Sequence, residues 1–244
     1  MAPIAGFTRF RNWQFGEQSV FGTAVAASRR VAWRGTLEVE PNWSDQEDVD
    51  TGSIDFLLPP FRTQTDIAAS GLGGVLTYQD IPLLLSAGVV NHGAPTGAGA
   101  AKTWTHQSVS LTPTTLDYFT GEWSDDVTAD GFQARDGIVE SMEFSFDESL
   151  GPWMVSSDWR FGSVQSHVTR TAGLVVGSNL PLVFGADTKL YIDDTSGGIG
   201  ATQISDALHS ATVRIESTIN QKPFANGSTS RFAVVGWGVS GRII

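Results

Sequence analysis

The sequence predicts an all-β protein, a β-sandwich carrying one short helix. Three observations support this. Apolar and polar residues alternate with a period of two in segment after segment, as strands with one buried face require. Glycine (27 residues) and tryptophan (8) are plentiful while charged residues make up only 17%, the composition of a strand-and-turn protein with a lightly charged, interface-like surface. A single stretch carries helix start and stop signals.

Taken in order, residues 13–15 begin an early strand and 36–39 (TLEV) alternate clearly. Residues 41–62 (PNWSDQEDVDTGSIDFLLPPFR) read as a long loop. Its acidic limb holds Asp45, Glu47, Asp48, Asp50 and Asp55, and its apolar tip, Phe56, Leu57 and Leu58, is braced by Pro59 and Pro60. Loops beyond about 15 residues without structure of their own are usually functional or disordered. An acidic limb with an apolar tip suits docking, with Trp43 as a contact residue. Residues 78–87 (YQDIPLLLSA) form the helix, with Thr77 as cap, Asp80 in the first turn, Pro82 tolerated near the start and Gly88 as the stop. A glycine-alanine loop covers 91–101. Further strands fall at 116–123 (LDYFTGEW), 138–146 (IVESMEFSF), 153–161 (WMVSSDWRF), 190–193 (LYID) and 212–216 (TVRIE). The expected division is a first sandwich over 1–165, a connector over 166–180 with the glycine-bearing 173–181 (GLVVGSNLP), and a second, partial β domain over 181–244.

At 244 residues the chain can bury a sizeable core without covalent staples, and with no cysteine it has no disulfides, thiolate metal sites or thiol nucleophile. The first 13 residues contain Arg9 and Arg11 without an apolar core of signal-peptide length, and no apolar run approaches a membrane span. The expectation is a soluble protein with no membrane anchor. A net charge of −11 argues against a protein that grips phosphate backbones, though not against one past which DNA must slide.

Catalytic and metal readings find no anchor. His92, His106, His167 and His209 are far apart in sequence. Glu140 and Glu143 do not share a strand face, and Glu122 or Asp158 could meet another carboxylate only through folding, so solvated strand-face acids are the simpler reading than a glycosidase pair. Trp13, Trp33, Trp104, Trp153, Trp159 and Trp237 mostly fall in strand patterns, where core or interface packing explains them. The acidic run at 45–50 and the Asp193-Asp194 turn could attract calcium, but neither has EF-hand spacing and ordinary acidic turns are expected. Residues 97–103 (GAGAAKT) fail as a phosphate-binding loop because Thr96 and Ala101 stand where glycine is needed. No nucleophile elbow is present. The expectation is no enzyme, no cofactor and no metal.

Aligning Thr36 with Thr212 sets TLEVE over TVRIE; Gly22 and Gly200 precede these strands, and Gly52-Ser53 falls one residue out of step with Gly227-Ser228. Two readings stand: two versions of one unit, or the matches any β protein yields. If the first holds, the second copy reaches Ile244 before any counterpart of the helix. Either the natural product is longer, or the C-terminal piece completes its sheet another way.

The stretches GTAVAASRRVAWRGTLEVEPNW (22–43), LGPWMVSSDWRFGSV (150–164) and FGADTKLYIDDTSGGIGATQISDALHSATVRIESTINQKPFANGSTSRFAVVGWG (184–238) resemble the tail tube, or major tail, proteins of long-tailed bacteriophages. The resemblance implies a β-sandwich with one helix whose long early loop docks one ring on the next. Residues 41–62 match that loop in position and character, which gives Trp43, Asp45, Glu47, Asp48, Asp50, Phe56, Leu57, Leu58 and Arg62 the role of a ring-stacking interface. It implies homo-oligomeric rings, hexameric or, with the tandem repeat, pseudo-hexameric trimers. The stacked rings would contact other tail proteins and let DNA pass through the lumen without specific binding. The place implied is the virion tail, assembled in the host cytoplasm. Exposed sheet edges would serve as joints between copies, and a carboxylate-lined lumen would repel phosphates. Glu38 and Glu40, alternating with Leu37 and Val39, and Arg214 and Glu216, alternating with Val213 and Ile215, are the lumen-facing candidates. A carbohydrate- or receptor-binding β-sandwich is the alternative reading.

Overall fold

The longest strand, β7 (Gly131–Phe146), organises the molecule. In this computed structural model, which describes residues 12–44, 61–89, 96–97, 103, 117–124, 131–176, 181–193, 200–204, 208–223 and 230–244, β7 belongs to two layers in succession. Its first half pairs with β6 (Tyr118–Ser124) on one side and β9 (Ser163–Val168) on the other. Its second half pairs with β12 (Ala211–Pro223) and with β8 (Met154–Phe161). The bend between the halves sits at Asp136, whose φ of +58° is a left-handed conformation that aspartate tolerates better than most residues.

The first layer runs β2 (Arg29–Val31), β1 (Asn12–Gln18), β6, β7, β9, and the second runs β13 (Ser230–Ile243), β12, β7, β8, β5 (Phe61–Val75), β4 (Glu38–Ser44). β3 (Trp33–Arg34) pairs with the far end of β5, and only Ala32 separates it from β2, so the chain closes the sandwich at that corner. All these pairings are antiparallel. Strands account for 61% of the described residues, and α1 (Asp80–Gly88) is the one α-helix among them, so the fold is all-β with one short helix as expected.

Between the layers lies an aromatic stack. Trp13 and Phe15 of β1 face Trp159 and Phe161 of β8, with ring centroids 4.7 Å apart for Phe15 and Trp159 and 6.1 Å for Trp13 and Phe161. All four are buried, as are Trp33 and Phe119 around them. Gly137 makes room for this stack, since a Cβ there would come within 2.5 Å of the Phe161 ring.

The helix extends the core with Leu83, Leu84 and Ala87. Its start differs from the expected cap. Thr77 does not cap it; instead the buried Asp80 carboxylate accepts hydrogen bonds from the Thr77 backbone N–H (3.2 Å) and hydroxyl (2.7 Å) and pairs with Arg29 at 2.9 Å. Gly88, expected as the stop, is the last helical residue, and the backbone N–H of Val89 closes the helix on Leu85 O. The glycine is required for close approach, because a Cβ would lie 2.3 Å from the Met142 methyl and 3.1 Å from Val139.

The connector expected at 166–180 does not separate two sheets. Residues 169–176 cross the outside of the first layer as a strap. Thr171 donates to Glu122, and Arg30 reaches Leu174 O. Beyond it, Val183 bonds to Leu76 and Trp153 through the backbone, and β12 pairs with β7 from Ala211 to Glu216. The 181–244 segment thus contributes β12 and β13 to the sheet of the 1–165 segment. Its element order nonetheless parallels the start of the chain. A short hairpin, β1–β2, has Gly22 at φ +79° between its strands and precedes the long β4–β5 hairpin; a short hairpin, β10 (Leu190–Tyr191) with β11 (Gln203–Ile204), has Gly200 at φ +93° between its strands and precedes the long β12–β13 hairpin. The second short hairpin forms its own two-stranded sheet.

Candidate assembly surface

Strand alternation gives the second layer two unlike faces. Ile67, Ala69, Met142, Phe144, Val155, Trp159 and Phe161 point into the core. The residues between them point outward, in register across the sheet: Glu38 and Glu40 on β4, Asp66 and Ala68 on β5, Asp158 and Arg160 on β8, Glu143 on β7, and Arg214 and Glu216 on β12. Glu140, at the irregularity in β7, joins this face through Arg160 at 2.8 Å, a bond that holds the guanidinium above its ordinary pKa. Asp158 accepts from Ser141 Oγ (2.7 Å) and from the backbone N–H of Gly71 (2.8 Å). Arg214 pairs with Glu216 along its own strand. Between β4, β5 and β8 the face dips into a groove of about 420 Å³ lined by Glu38, Glu40, Asp66, Glu140, Asp158 and Arg160. All four candidates singled out for a charged inner surface, Glu38, Glu40, Arg214 and Glu216, are exposed on this one face, at opposite ends of the same sheet.

Two ribbons project from one end of the layer. β5 extends beyond its pairing with β8 at its N-terminal end, and β12 extends beyond β7 at its C-terminal end. The two strands lie three antiparallel steps apart and run in opposite directions, so both overhangs leave from the same end, where β7 turns away into the first layer and β8 gives way to β9. The 41–62 segment is therefore not a loop throughout. Pro41 to Ser44 are strand, and Trp43 pairs with Arg62 and Ser44 with Phe61. A proline at 41 suggests a turn, yet β4 is an edge strand, where a missing N–H costs no ladder bond. Asp45, Glu47, Asp48, Asp50, Phe56, Leu57 and Leu58 lie outside the described residues. The second ribbon, β12–β13, was not singled out from sequence as an arm; the repeat alone hinted at it.

The carboxylates weighed as catalytic or metal-binding groups are otherwise engaged. Glu122 is buried beneath the strap: Oε1 accepts from the Thr171 hydroxyl (2.9 Å) and the Ala27 N–H (3.4 Å), and Oε2 accepts from the Thr171 N–H (2.8 Å). The Gln14 amide, with its nitrogen toward the acceptors, adds a bond to Oε2 at 3.2 Å and one to Thr171 O at 3.1 Å. Glu140 is bound to Arg160. Asp193 receives the N–H groups of Gly200, Ala201 and Thr202 at 2.7–3.0 Å, and hydrogen bonding from Thr202 foremost holds it below the usual carboxylate range. Its lone pairs face donors, as in an ordinary acidic turn; Asp194 lies outside the described residues. No cluster of three or more metal-ligating side chains occurs among the described residues. In the rejected phosphate-loop segment, Thr96 and Thr103 pair through two backbone bonds.

Trp13, Trp33 and Trp159 are core residues, Trp153 donates to Thr188 Oγ1 at 2.9 Å, and Trp123 packs on Phe132. None of these five offers the exposed ring that a sugar-binding platform uses. His167 and His209 are exposed on separate elements, and His92 and His106 lie outside the described residues. No helix of the described residues is long and apolar enough to cross a membrane. The sequence matches no protein-family model and no curated protein.

Proposed function

We propose that this protein is a non-enzymatic structural subunit that assembles with its own copies into stacked rings, forming the tail tube through which a long-tailed bacteriophage delivers its DNA. The observation that carries the reading is the outward face of the second layer, a broad sheet surface dominated, among the described residues, by carboxylates. A monomer gains nothing from concentrating Glu38, Glu40, Asp66, Glu140, Asp158 and Glu143 on one face, where they repel one another. Turned toward a shared channel, the same charge keeps phosphates off the wall by mutual repulsion in a confined space, and the genome passes without being held. The net charge of −11 agrees with this.

In this reading the ribbon that starts with Trp43 and Arg62 carries the acidic and apolar tip onto the next ring, and the partners are copies of the chain and other tail proteins in the virion. The rings are hexamers or pseudo-hexameric trimers, which class averages of end-on views distinguish. Negative-stain electron microscopy of the concentrated protein is the test. Rings or tubes with an open lumen are expected, and a protein that stays monomeric at every concentration and salt condition refutes the proposal.

A further inference from the structure

We infer that the C-terminal edge strand β13 of one copy pairs, antiparallel, with the β4 edge of the next, in a register that sets Arg242 opposite Glu38 and Ser240 opposite Glu40. This rests on the ring reading and specifies its joint.

The direction follows from counting strands. The second layer is ordered β13-β12-β7-β8-β5-β4 and every neighbouring pair is antiparallel, so its two end strands run in opposite senses. A rotation about an axis inclined to the strands, as strands tilt in a closed barrel, preserves those senses and lets the register shift along the edge. It therefore brings β13 of one copy beside an oppositely directed β4 of the next, a head-to-tail contact that closes into a ring. The same rotation keeps the acidic faces on one side. Among the described residues both edges are open, since β13 pairs there with β12 alone and β4 with β5 alone. Such rows of unpaired N–H and C=O groups are joints when a partner strand is supplied.

The side chains match on both faces. Outward, Arg242 has no ion pair among the described residues, and neither have Glu38 and Glu40. Glu40 stands directly across β4–β5 from Asp66, a like-charge pair that destabilises a lone ribbon and that a guanidinium arriving from outside relieves. Arg160, the cation on the neighbouring β8, is committed to Glu140. Inward, both edges leave apolar side chains in water: Val39 is 40% exposed at one end, Val239 59% and Ile243 54% at the other. In the proposed register Val39 falls opposite Gly241 and between Val239 and Ile243. Pro41, without an N–H, ends the ladder on the β4 side and leaves the rest of that strand to the ribbon.

The chain has no cysteine, which makes a disulfide test clean. With Glu40→Cys and Ser240→Cys in one chain, the two thiols sit at opposite ends of the sheet and can join only between copies. Mild oxidation is expected to give a ladder of covalent dimers, trimers and higher species on a non-reducing gel, with neither single variant giving more than a dimer. Arg242→Glu is expected to raise the concentration for half-assembly about tenfold, as an interfacial charge reversal does, with unchanged thermal melting. Adding Glu38→Arg and Glu40→Arg to it is expected to restore assembly. Rings that form without the ladder, or a charge swap that fails to rescue a folded protein, overturn the edge pairing while leaving the ring reading standing. A wild-type chain that never assembles overturns both.

Discussion

Removing the Glu122 carboxylate tests whether the strap over the first layer is held from beneath. In Glu122→Ala the Thr171 N–H and the Gln14 amide lose their acceptor, while the Ala27 N–H keeps the Thr171 hydroxyl at 3.1 Å if the strap stays in place. Hydrogen bonds to a charged group contribute about 1.5–3 kcal/mol each, and a buried donor left without a partner costs a similar amount. Two such losses predict a destabilisation of about 3–6 kcal/mol. Glu122→Gln keeps the shape and one acceptor oxygen but turns an NH₂ toward donors, and about 1–2 kcal/mol is expected. Urea unfolding monitored by tryptophan fluorescence gives the difference from the midpoints at constant m-value. Trypsin gives the location, because Arg170 lies in the strap and becomes cleavable once it lifts. A Glu122→Ala protein within about 1 kcal/mol of wild type, or one whose cleavage after Arg170 is no faster, would refute the assignment.

Three further outcomes follow from the geometry. Asp136 is fully buried and its Oδ2 has no partner among the described residues, and burial, the largest influence, pushes its carboxyl above the usual range against the opposing bond from the Gly22 N–H. The folded state therefore holds this proton more tightly than the unfolded chain, so stability falls as pH rises from about 4 through the folded pKa; Asp136→Asn should flatten that slope in urea midpoints taken from pH 4 to 8, and an unchanged slope counts against it. A Cβ on Gly73 would lie 1.9 Å from the Val155 carbonyl, part of a backbone that cannot yield without parting β5 from β8, so Gly73→Ala should cost about 3 kcal/mol or more in thermal or urea unfolding. Replacing Phe56 and Leu57 with aspartate should leave single rings but no tubes in electron micrographs, and normal tube growth would refute the stacking role.

Alternation made β6, β8, the second half of β7 and the start of β12 legible, because each packs one face on the core and leaves the other in water. The first half of β7 was not legible. Where the strand crosses from one layer to the other, Asp136 through Val139 are all buried, Gly137 interrupts the pattern, and period-two logic has no wet face to find. The strap was read as a linker because its anchor, Glu122, lies on a strand some fifty residues earlier, and no local pattern announces a bond of that span. The helix was placed within two residues, but its cap was inverted: Thr77 and Asp80 are partners, and the sequence cannot say which side chain serves which backbone. Glu38, Glu40, Arg214 and Glu216 could be assigned to one kind of face from alternation. That they share a single sheet is a fact of topology, and it depends on β7 accepting β12 on the side that β6 has left.

The same bend ties the fold to the proposed assembly. A β7 that stayed straight would keep β8 beside it along its full length, and the two flanking ribbons would be buried in one flat sheet. By turning at Asp136 it parts from β8, which stays in the second layer, pairs instead with β9 in the first, and leaves β4–β5 and β12–β13 projecting past the same end of the second layer. Each ribbon then has an outer edge that no other described strand pairs with and an inner face that its own chain covers only in part, as the exposure of Val39, Val239 and Ile243 records. Only another sheet can satisfy both at once. A small ligand could shield the apolar side chains but would leave the row of backbone groups unpaired, which is why a second copy of the chain is the occupant that fits.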